Sequence, residues 1–283
     1  MQNTFSIDFA GRDISVKTNY MAGQADGSVL VTYGDTVVIV TAVSLKSKRE
    51  GVDFMPLTVD YQEMTFAAGK IPGGFFKREG RPNEREILTS RIIDRSLRPL
   101  FPKGYFHETQ IVATLLSMDN ENDPAVTALF GASVALEISD IPFNGPIAAI
   151  RVGRVDGTFV CNPSSEVLEK SDFNLFIVGR KTPPVPGSKE FDINLVMLEG
   201  SAVEIEEDAI VDAINFGIES LRPVFELQGH IRQTMGKEKR VVDTITVDEI
   251  LYAKVTEAAA NSMKEAYTIA RKLDRHKTLD WLM

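Results

Sequence analysis

The sequence predicts an α/β sandwich followed by a small all-helical domain. Three observations carry this expectation. Up to Gly229, β-rich runs alternate with amphipathic helical runs and hairpin turns, the pattern of a layered α/β fold. From Thr246 onward only a helical pattern remains. A chain of 283 residues suits one sizeable domain plus a smaller one, at roughly 100–200 residues per domain.

The elements follow in order. Thr4 to Phe9 and Asp13 to Thr18 read as two short strands turning at Gly11. Val29 to Tyr33 and Thr36 to Leu45 are β-rich and separated by Gly34-Asp35, a two-residue hairpin turn. The run VVIVTAV is almost continuously apolar, which predicts a strand covered on both faces. Leu57 to Gln62 continues the sheet, and Gln110 to Met118 is a further strand. A loop at 120–123 leads into a helix with Pro124 at its start, where proline is tolerated. That helix runs through Gly131-Ala132-Ser133 to Ile138, and its small residues predict close packing on the sheet.

Ile147 to Val155 and Thr158 to Val160 form a hairpin around Asp156-Gly157, and Ser165 to Lys170 reads as a short helix. Phe173 to Val178 and Ile193 to Leu198 are strands, joined by the proline-rich loop TPPVPGSKEF, stiff and exposed. Asp208 to Leu221 is an amphipathic helix with Ile210, Ile214, Ile218 and Leu221 on one stripe. A domain boundary is expected between Gly229 and Asp243. In the tail, Thr246 with Glu249 can cap a helix whose faces include Ile250, Leu251, Val255, Ala266, Ile269 and Leu273.

Bulk properties exclude several classes. Apolar residues make up 43% of the chain, enough for a core without disulfides or metal. The one cysteine, Cys161, cannot form an internal disulfide and fits a reducing compartment. The N-terminus lacks the basic-then-apolar pattern of a signal peptide, and no run approaches the roughly 20 apolar residues of a membrane span. A cytoplasmic location is expected.

One stretch stands apart. GGFFKREGRPNEREILTSRIIDRSLRP, Gly73 to Pro99, sets Phe75 and Phe76 in a glycine-flanked loop beside Lys77, Arg78 and Arg81. Asn83, with Glu86 three residues on, has the spacing of a helix-starting capping box. Leu88, Ile92, Ile93, Leu97 and Leu100 sweep an apolar arc, while Arg91, Arg95 and Arg98 share the remaining face. Pro99 should end the helix at Arg98. The chain carries a net charge of −9, yet residues 70–103 hold nine Lys or Arg against four Asp or Glu. That window is +5 and the remainder −14. Rings beside a local positive groove suit single-stranded nucleic acid: each stacked base is worth roughly 1–3 kcal/mol, and cations follow the phosphates. Spacing alone leaves a second reading open, a buried Phe pair beside an ordinary solvated arginine face.

GGFFKREGRP and SRIIDRSLRPLFP resemble the first of the two ribonuclease-PH-like core domains of the bacterial polynucleotide phosphorylase family. The likeness extends through YGDTVVIVTAV (33–43), FMPLTVDYQEMTFAAGKIPG (54–73) and GASVALEISDIPFNGPIAAIRVG (131–153). It implies a ribonuclease-PH-like mixed-sheet α/β sandwich over residues 1–229, then a truncated all-helical domain over 240–283. It also implies a polyribonucleotide nucleotidyltransferase that degrades mRNA 3′→5′ by phosphorolysis, releasing nucleoside diphosphates. Such enzymes are homotrimers, some held in RNA-degradation complexes, with magnesium in a second core domain. The chain stops at Trp281-Leu282-Met283 without a polar tail, so the expectation is an N-terminal fragment lacking that second core and the two small RNA-binding modules, a KH fold and an OB-fold.

In the family a Phe-Phe-Arg-Arg loop lines the central channel of the ring and contacts single-stranded RNA. Here it reads Phe75-Phe76-Lys77-Arg78, and the lysine keeps the charge but loses the planar fork. The resemblance makes Phe75, Phe76, Lys77, Arg78 and Arg81 the expected RNA contacts. Arg91, Arg95 and Arg98 are further candidates, for which pairing with Asp94 or interface acids stays equally open.

The resemblance also implies that this copy is catalytically silent. The family's active core holds phosphate partly on a serine-rich turn ahead of its Gly-Ala-Ser helix; here Asp123, Pro124 and Ala125 stand there. Where the active core has an aspartate and then Asp-x-Asp-x-Lys, this chain has Leu168, Asp172, Asn174 and Phe176. One carboxylate is a poor site for a divalent ion, which wants several hard oxygen ligands. No catalytic residue, metal ligand or cofactor is expected in this chain. His107, His230 and His276 lack metal-ligand spacing, and Gly73-Gly74 lacks a dinucleotide-binding context. Glu199-Gly200 reads as a strand end. Two other classes stay open: a free-standing phosphorolytic enzyme with unusual ligands, and a trimerisation scaffold with Phe75 and Phe76 buried in its core.

Overall fold

The computed structural model describes residues 3–48, 51–184, 191–242 and 247–282. The chain divides into two compact units, Met1–Asp243 and Thr244–Met283.

In the first unit, β1 (Asn3–Phe9), β2 (Arg12–Thr18), β3 (Gly27–Tyr33), β4 (Thr36–Ser44), β5 (Leu57–Glu63) and β6 (Thr109–Ser117) form one sheet. Its order is β1-β2-β3-β4-β6-β5, antiparallel except where β5 runs parallel to β6. The helices α1 (Glu84–Leu97) and α2 (Pro124–Ile138) belong to this half. A second, antiparallel sheet orders β10 (Asp192–Ala202), β9 (Phe173–Thr182), β7 (Ile147–Val155) and β8 (Thr158–Cys161). A short α3 (Ser165–Leu168) precedes β9, α4 (Glu207–Ser220) covers the second sheet, and α5 (Arg222–Met235) packs on α2, β1 and β7. The mixed-sheet sandwich expected from the sequence is the architecture found.

The centre of the unit is α2. Its sequence is apolar on every side, and every one of its residues is buried, as suits a helix lying between two layers. It packs on β3 and β4 on one side and on β7 on the other. Small residues permit the close approach: a Cβ on Gly131 would lie 2.6 Å from a Val40 methyl and 3.1 Å from one on Val31.

Three expectations require correction. The strand β4 is not covered on both faces: Thr36, Val38, Val40 and Ala42 are buried, while Val37, Ile39 and Thr41 are half-buried and Val43 is exposed. One helix-covered face is what an antiparallel sheet needs, and an apolar run alone does not reveal it. Gly229 does not end the core, because it falls inside α5 and the compact unit runs to Asp243. That helix escapes a periodicity reading for two reasons. It begins directly after α4 at an Arg222-Pro223 step that looks like a break, and its buried stripe includes a glutamine. Gln228 sits at 1% exposure because Ser133 Oγ donates to its Oε1 (2.7 Å) and its Nε2 donates to the Ile147 carbonyl (2.9 Å). Finally, β10 runs on to Ala202, so Glu199 and Gly200 are strand residues rather than a strand end.

In the second unit, α6 (Glu249–Tyr267) starts at Asp248, whose carboxylate accepts from the Ile250 and Leu251 N–H groups. The cap expected at Thr246 lies outside the described residues, as does most of the loop from Pro183 to Glu190. A shorter α7 (Lys272–Leu282) follows. Among the described residues, no helix is long and apolar enough to cross a membrane.

Candidate nucleic-acid interface

The loop between β5 and α1 is held firmly at its base. The Glu79 carboxylate accepts from the Thr65 N–H and hydroxyl, both at 2.8 Å. The capping box forms as expected: Asn83 Oδ1 accepts from the Glu86 N–H (3.0 Å) and Glu86 Oε2 from the Asn83 N–H (2.7 Å). The helix then satisfies the open edge of β5. Glu86 accepts from the Glu63 N–H (2.8 Å) and Ser90 Oγ from the Tyr61 N–H (3.0 Å). Arg98 donates to the Leu57 and Met55 carbonyls (3.1 and 2.9 Å) while pairing with both Asp94 oxygens. An edge strand covered in this way offers no template for another strand.

Between these anchors the tip stands in solvent. Phe75 is 93% exposed and Phe76 81%, with ring centroids 5.4 Å apart and planes at 85°. The tight turn that presents them has Gly74 at φ 75° and Lys77 at φ 50°. Lys77, Arg78 and Arg81 are exposed, and none forms an ion pair among the described residues. The reading that buries the Phe pair therefore fails.

The arginine face of α1 divides. Arg91 is exposed and unpaired among the described residues. Arg95 lies 3.5 Å from Glu199, and Arg98 is committed to Asp94 and the β5 edge. The buried stripe of α1 is Glu86, Thr89, Ile93, Ser96 and Leu97; Leu88, expected in the core, is 42% exposed.

The positions that the family resemblance equates with phosphate and metal binding are tied together by two arginines that sequence reasoning missed. Asp123 caps α2, accepting from the Ala125 N–H (2.9 Å), and its other oxygen accepts from Arg151 Nε (2.7 Å). Arg151 Nη1 donates to Asn174 Oδ1 (2.6 Å), and its guanidinium lies over Phe176, 5.3 Å from the ring centroid. Asp172 accepts from Arg154 Nε and Nη2 at 2.9 and 2.6 Å. Pro124 has no N–H to offer and Asp123 repels an anion, so this helix start does not fit phosphate. With Asp172 engaged by Arg154, these residues do not fit a divalent metal either. Among the described residues, no group of three or more His, Cys, Asp or Glu could hold a metal ion. An arginine inside a buried strand run such as IAAIRVGRV is the signal that could have revealed these pairs, since such a charge requires a partner.

The histidines lie apart. His107 stacks on Tyr105 at 4.8 Å with Nδ1 2.9 Å from the Leu45 carbonyl oxygen, His230 meets the Phe5 ring edge-on at 5.3 Å, and His276 faces solvent.

Two sheets, each with its covering helices, one of them leading into a solvent-borne aromatic and basic loop, define a domain of the 3′ exoribonuclease type. Residues 10–142 match the model described as "3' exoribonuclease family, domain 1", and residues 145–220 match "domain 2" of the same family. The chain belongs to the 3′ exoribonuclease family. The first match takes in β2 to β6 with α1 and α2 but not β1, the second takes in the second sheet and α4, and the two meet between α2 and β7. The polyribonucleotide nucleotidyltransferase of Syntrophus aciditrophicus is 65% identical over 99% of this chain and 40% of its own length. That of Geobacter sulfurreducens is 49% identical over 98% of this chain and 38% of its own length. The chain thus spans about two fifths of the length of these relatives. Among solved structures, rice (Oryza sativa) Rrp46 shares the fold with a TM-score of 0.61 and 16% identity, over 78% of this chain and 94% of that one.

Proposed function

We propose that this chain is the RNA-guiding, non-catalytic N-terminal half of a polyribonucleotide nucleotidyltransferase. The whole protein would shorten mRNA 3′→5′ by phosphorolysis in the cytoplasm, as a homotrimer able to join an RNA-degradation complex. A second core domain would supply the phosphate cradle and the magnesium site. The observation that carries the reading is the loop tip: two almost fully exposed phenylalanines beside three cations without ion-pair partners among the described residues. Apolar rings cost free energy in water unless something covers them, and bases do so at roughly 1–3 kcal/mol each. In this reading Phe75 and Phe76 stack on bases, while Lys77, Arg78, Arg81 and Arg91 meet phosphates. Arg95 and Arg98 are secondary, since both are already paired.

Fluorescence anisotropy with a short unstructured RNA tests this directly, with oligomeric state measured in the same samples. Wild type should bind, and a Phe75→Ala, Phe76→Ala, Arg78→Ala variant should bind at least about tenfold more weakly. Superimposable curves would take the loop out of the RNA path. Phosphate- and magnesium-dependent release of nucleoside diphosphates by the chain alone would overturn the assignment of catalysis to another domain.

A further inference from the structure

The two edges of the first sheet differ. The β5 edge is closed by α1, whereas the β1 edge at the other end is open. The two-residue turn at Ala10-Gly11 pairs Phe9 with Arg12, so Asn3, Phe5, Ile7 and Phe9 bond to β2 through their main chain. The N–H and C=O groups of Thr4, Ser6 and Asp8 therefore point away from the sheet, and none has a partner among the described residues. Beside them runs a groove of about 420 Å³ whose other wall is α5. That wall is one stripe of the helix, Pro223, Glu226, Leu227 and His230, and Leu227 and Phe5 supply its apolar part. The groove holds one carboxylate and no lysine or arginine. Glu226 is exposed and forms no ion pair among the described residues. Asp8 accepts from the Gly11 N–H, and Lys17, across from Thr4 on β2, has its ammonium over the Tyr20 ring at 5.5 Å.

An open strand edge, an apolar shelf beneath it and an unpaired carboxylate together specify the occupant. Only another main chain offers the alternating donors and acceptors that Thr4, Ser6 and Asp8 lack, at the roughly 4.8 Å spacing of paired strands. Single-stranded RNA has no such edge and is repelled by Glu226 and Asp8. A second copy set β1 against β1 would present Thr4, Ser6 and Asp8, with no cation to meet Glu226. We infer that this groove takes an extended segment of a partner protein, which adds a strand to β1, lays apolar side chains on Leu227 and Pro223, and sets a lysine or arginine against Glu226. Strand addition of this kind draws affinity from main-chain hydrogen bonds and specificity from alternate side chains. None of these residues belongs to the loop or helix assigned to RNA, so the two binding activities are separable.

The test is binding of the full chain to a library of acetylated, amidated seven-residue peptides. Valine or isoleucine occupies alternate positions, and the central position carries every residue type in turn. Wild type should bind saturably and prefer lysine or arginine at the centre. Glu226→Gln should weaken the best binder about threefold, and Glu226→Lys should move the preference to aspartate or glutamate. Ser6→Pro, a change that an edge strand tolerates, removes an outward N–H and should cost at least about tenfold, as should N-methylation of the peptide. On saturation the Thr4, Ser6 and Asp8 amides should become protected from hydrogen exchange. No saturable binder, no charge preference, a preference that ignores Glu226→Lys, or unprotected β1 amides would each overturn the inference. So would a wild-type dimer that Ser6→Pro dissociates, since a second copy would then be the occupant.

Discussion

Asp119 shows how one side chain can fasten distant parts of the chain. Its carboxylate accepts from the Asp35 N–H and Thr36 hydroxyl in the β3–β4 turn, and from the Glu121 and Asn122 N–H groups and Asn122 Nδ2 ahead of α2. Burial pushes its pKa up, but the hydrogen bonds from Asn122, Glu121 and Thr36 prevail and hold it down to about 2. Because the folded value lies below the usual 3.8, the stabilisation is fully present above about pH 4 and is lost as pH falls toward 2. Asp119→Ala should therefore cost about 1–2 kcal/mol at neutral pH, a figure discounted for partial exposure. In urea melts the gap to wild type should narrow between pH 4 and pH 2; a gap independent of pH would refute this account. Nothing in the sequence marked Asp119, because its partners on the β3–β4 turn are remote in the chain and no local pattern encodes them. The three arginines of α1 teach the same lesson. Periodicity placed them on one face, but only the fold could distribute Asp94 and Glu199 among them.

At the scale of elements, what was legible was what local chemistry dictates. The hairpin at Asp156-Gly157, with φ of 49° and 78°, and the capping box at Asn83 appear where turn and cap residues predict them. The small-residue run of α2 correctly announced close packing. Substituting Gly131 by Ala would force a methyl to within 2.6 Å of Val40, in a core already filled on both sides. Overpacking of this kind typically costs about 1–3 kcal/mol, against up to about 1 kcal/mol gained in helix propensity. A net loss of about 1–2 kcal/mol is expected. Adding Val40→Ala should recover part of it, so that the two changes together cost less than their sum. Strict additivity in chemical denaturation would show that α2 has room to shift. By contrast, α5 was hidden, since a buried Gln228 reads as polar until Ser133 and the Ile147 carbonyl are brought to it.

Across the whole molecule the charge is unevenly spread, a +5 window within a chain of net −9. An acidic body repels a polyanion and leaves only the loop region to attract it, so binding should depend steeply on salt while involving few cations. If Lys77, Arg78, Arg81 and Arg91 each neutralise about one phosphate, log affinity against log salt should have a slope near −3, at about −0.7 per contact for single strands. Rings and cations then become separable. Phe75→Ala with Phe76→Ala should lower affinity at every salt concentration and leave the slope unchanged, since stacking releases no counterions. Arg78→Ala with Arg81→Ala should flatten the slope by about 1.4 units. Arg98→Gln should leave the slope untouched but lower thermal stability, because its guanidinium is committed to Asp94 and the β5 edge. A slope that drops on losing Arg98, or stays constant on losing Arg78 and Arg81, would move the contact surface from the loop to the body of α1.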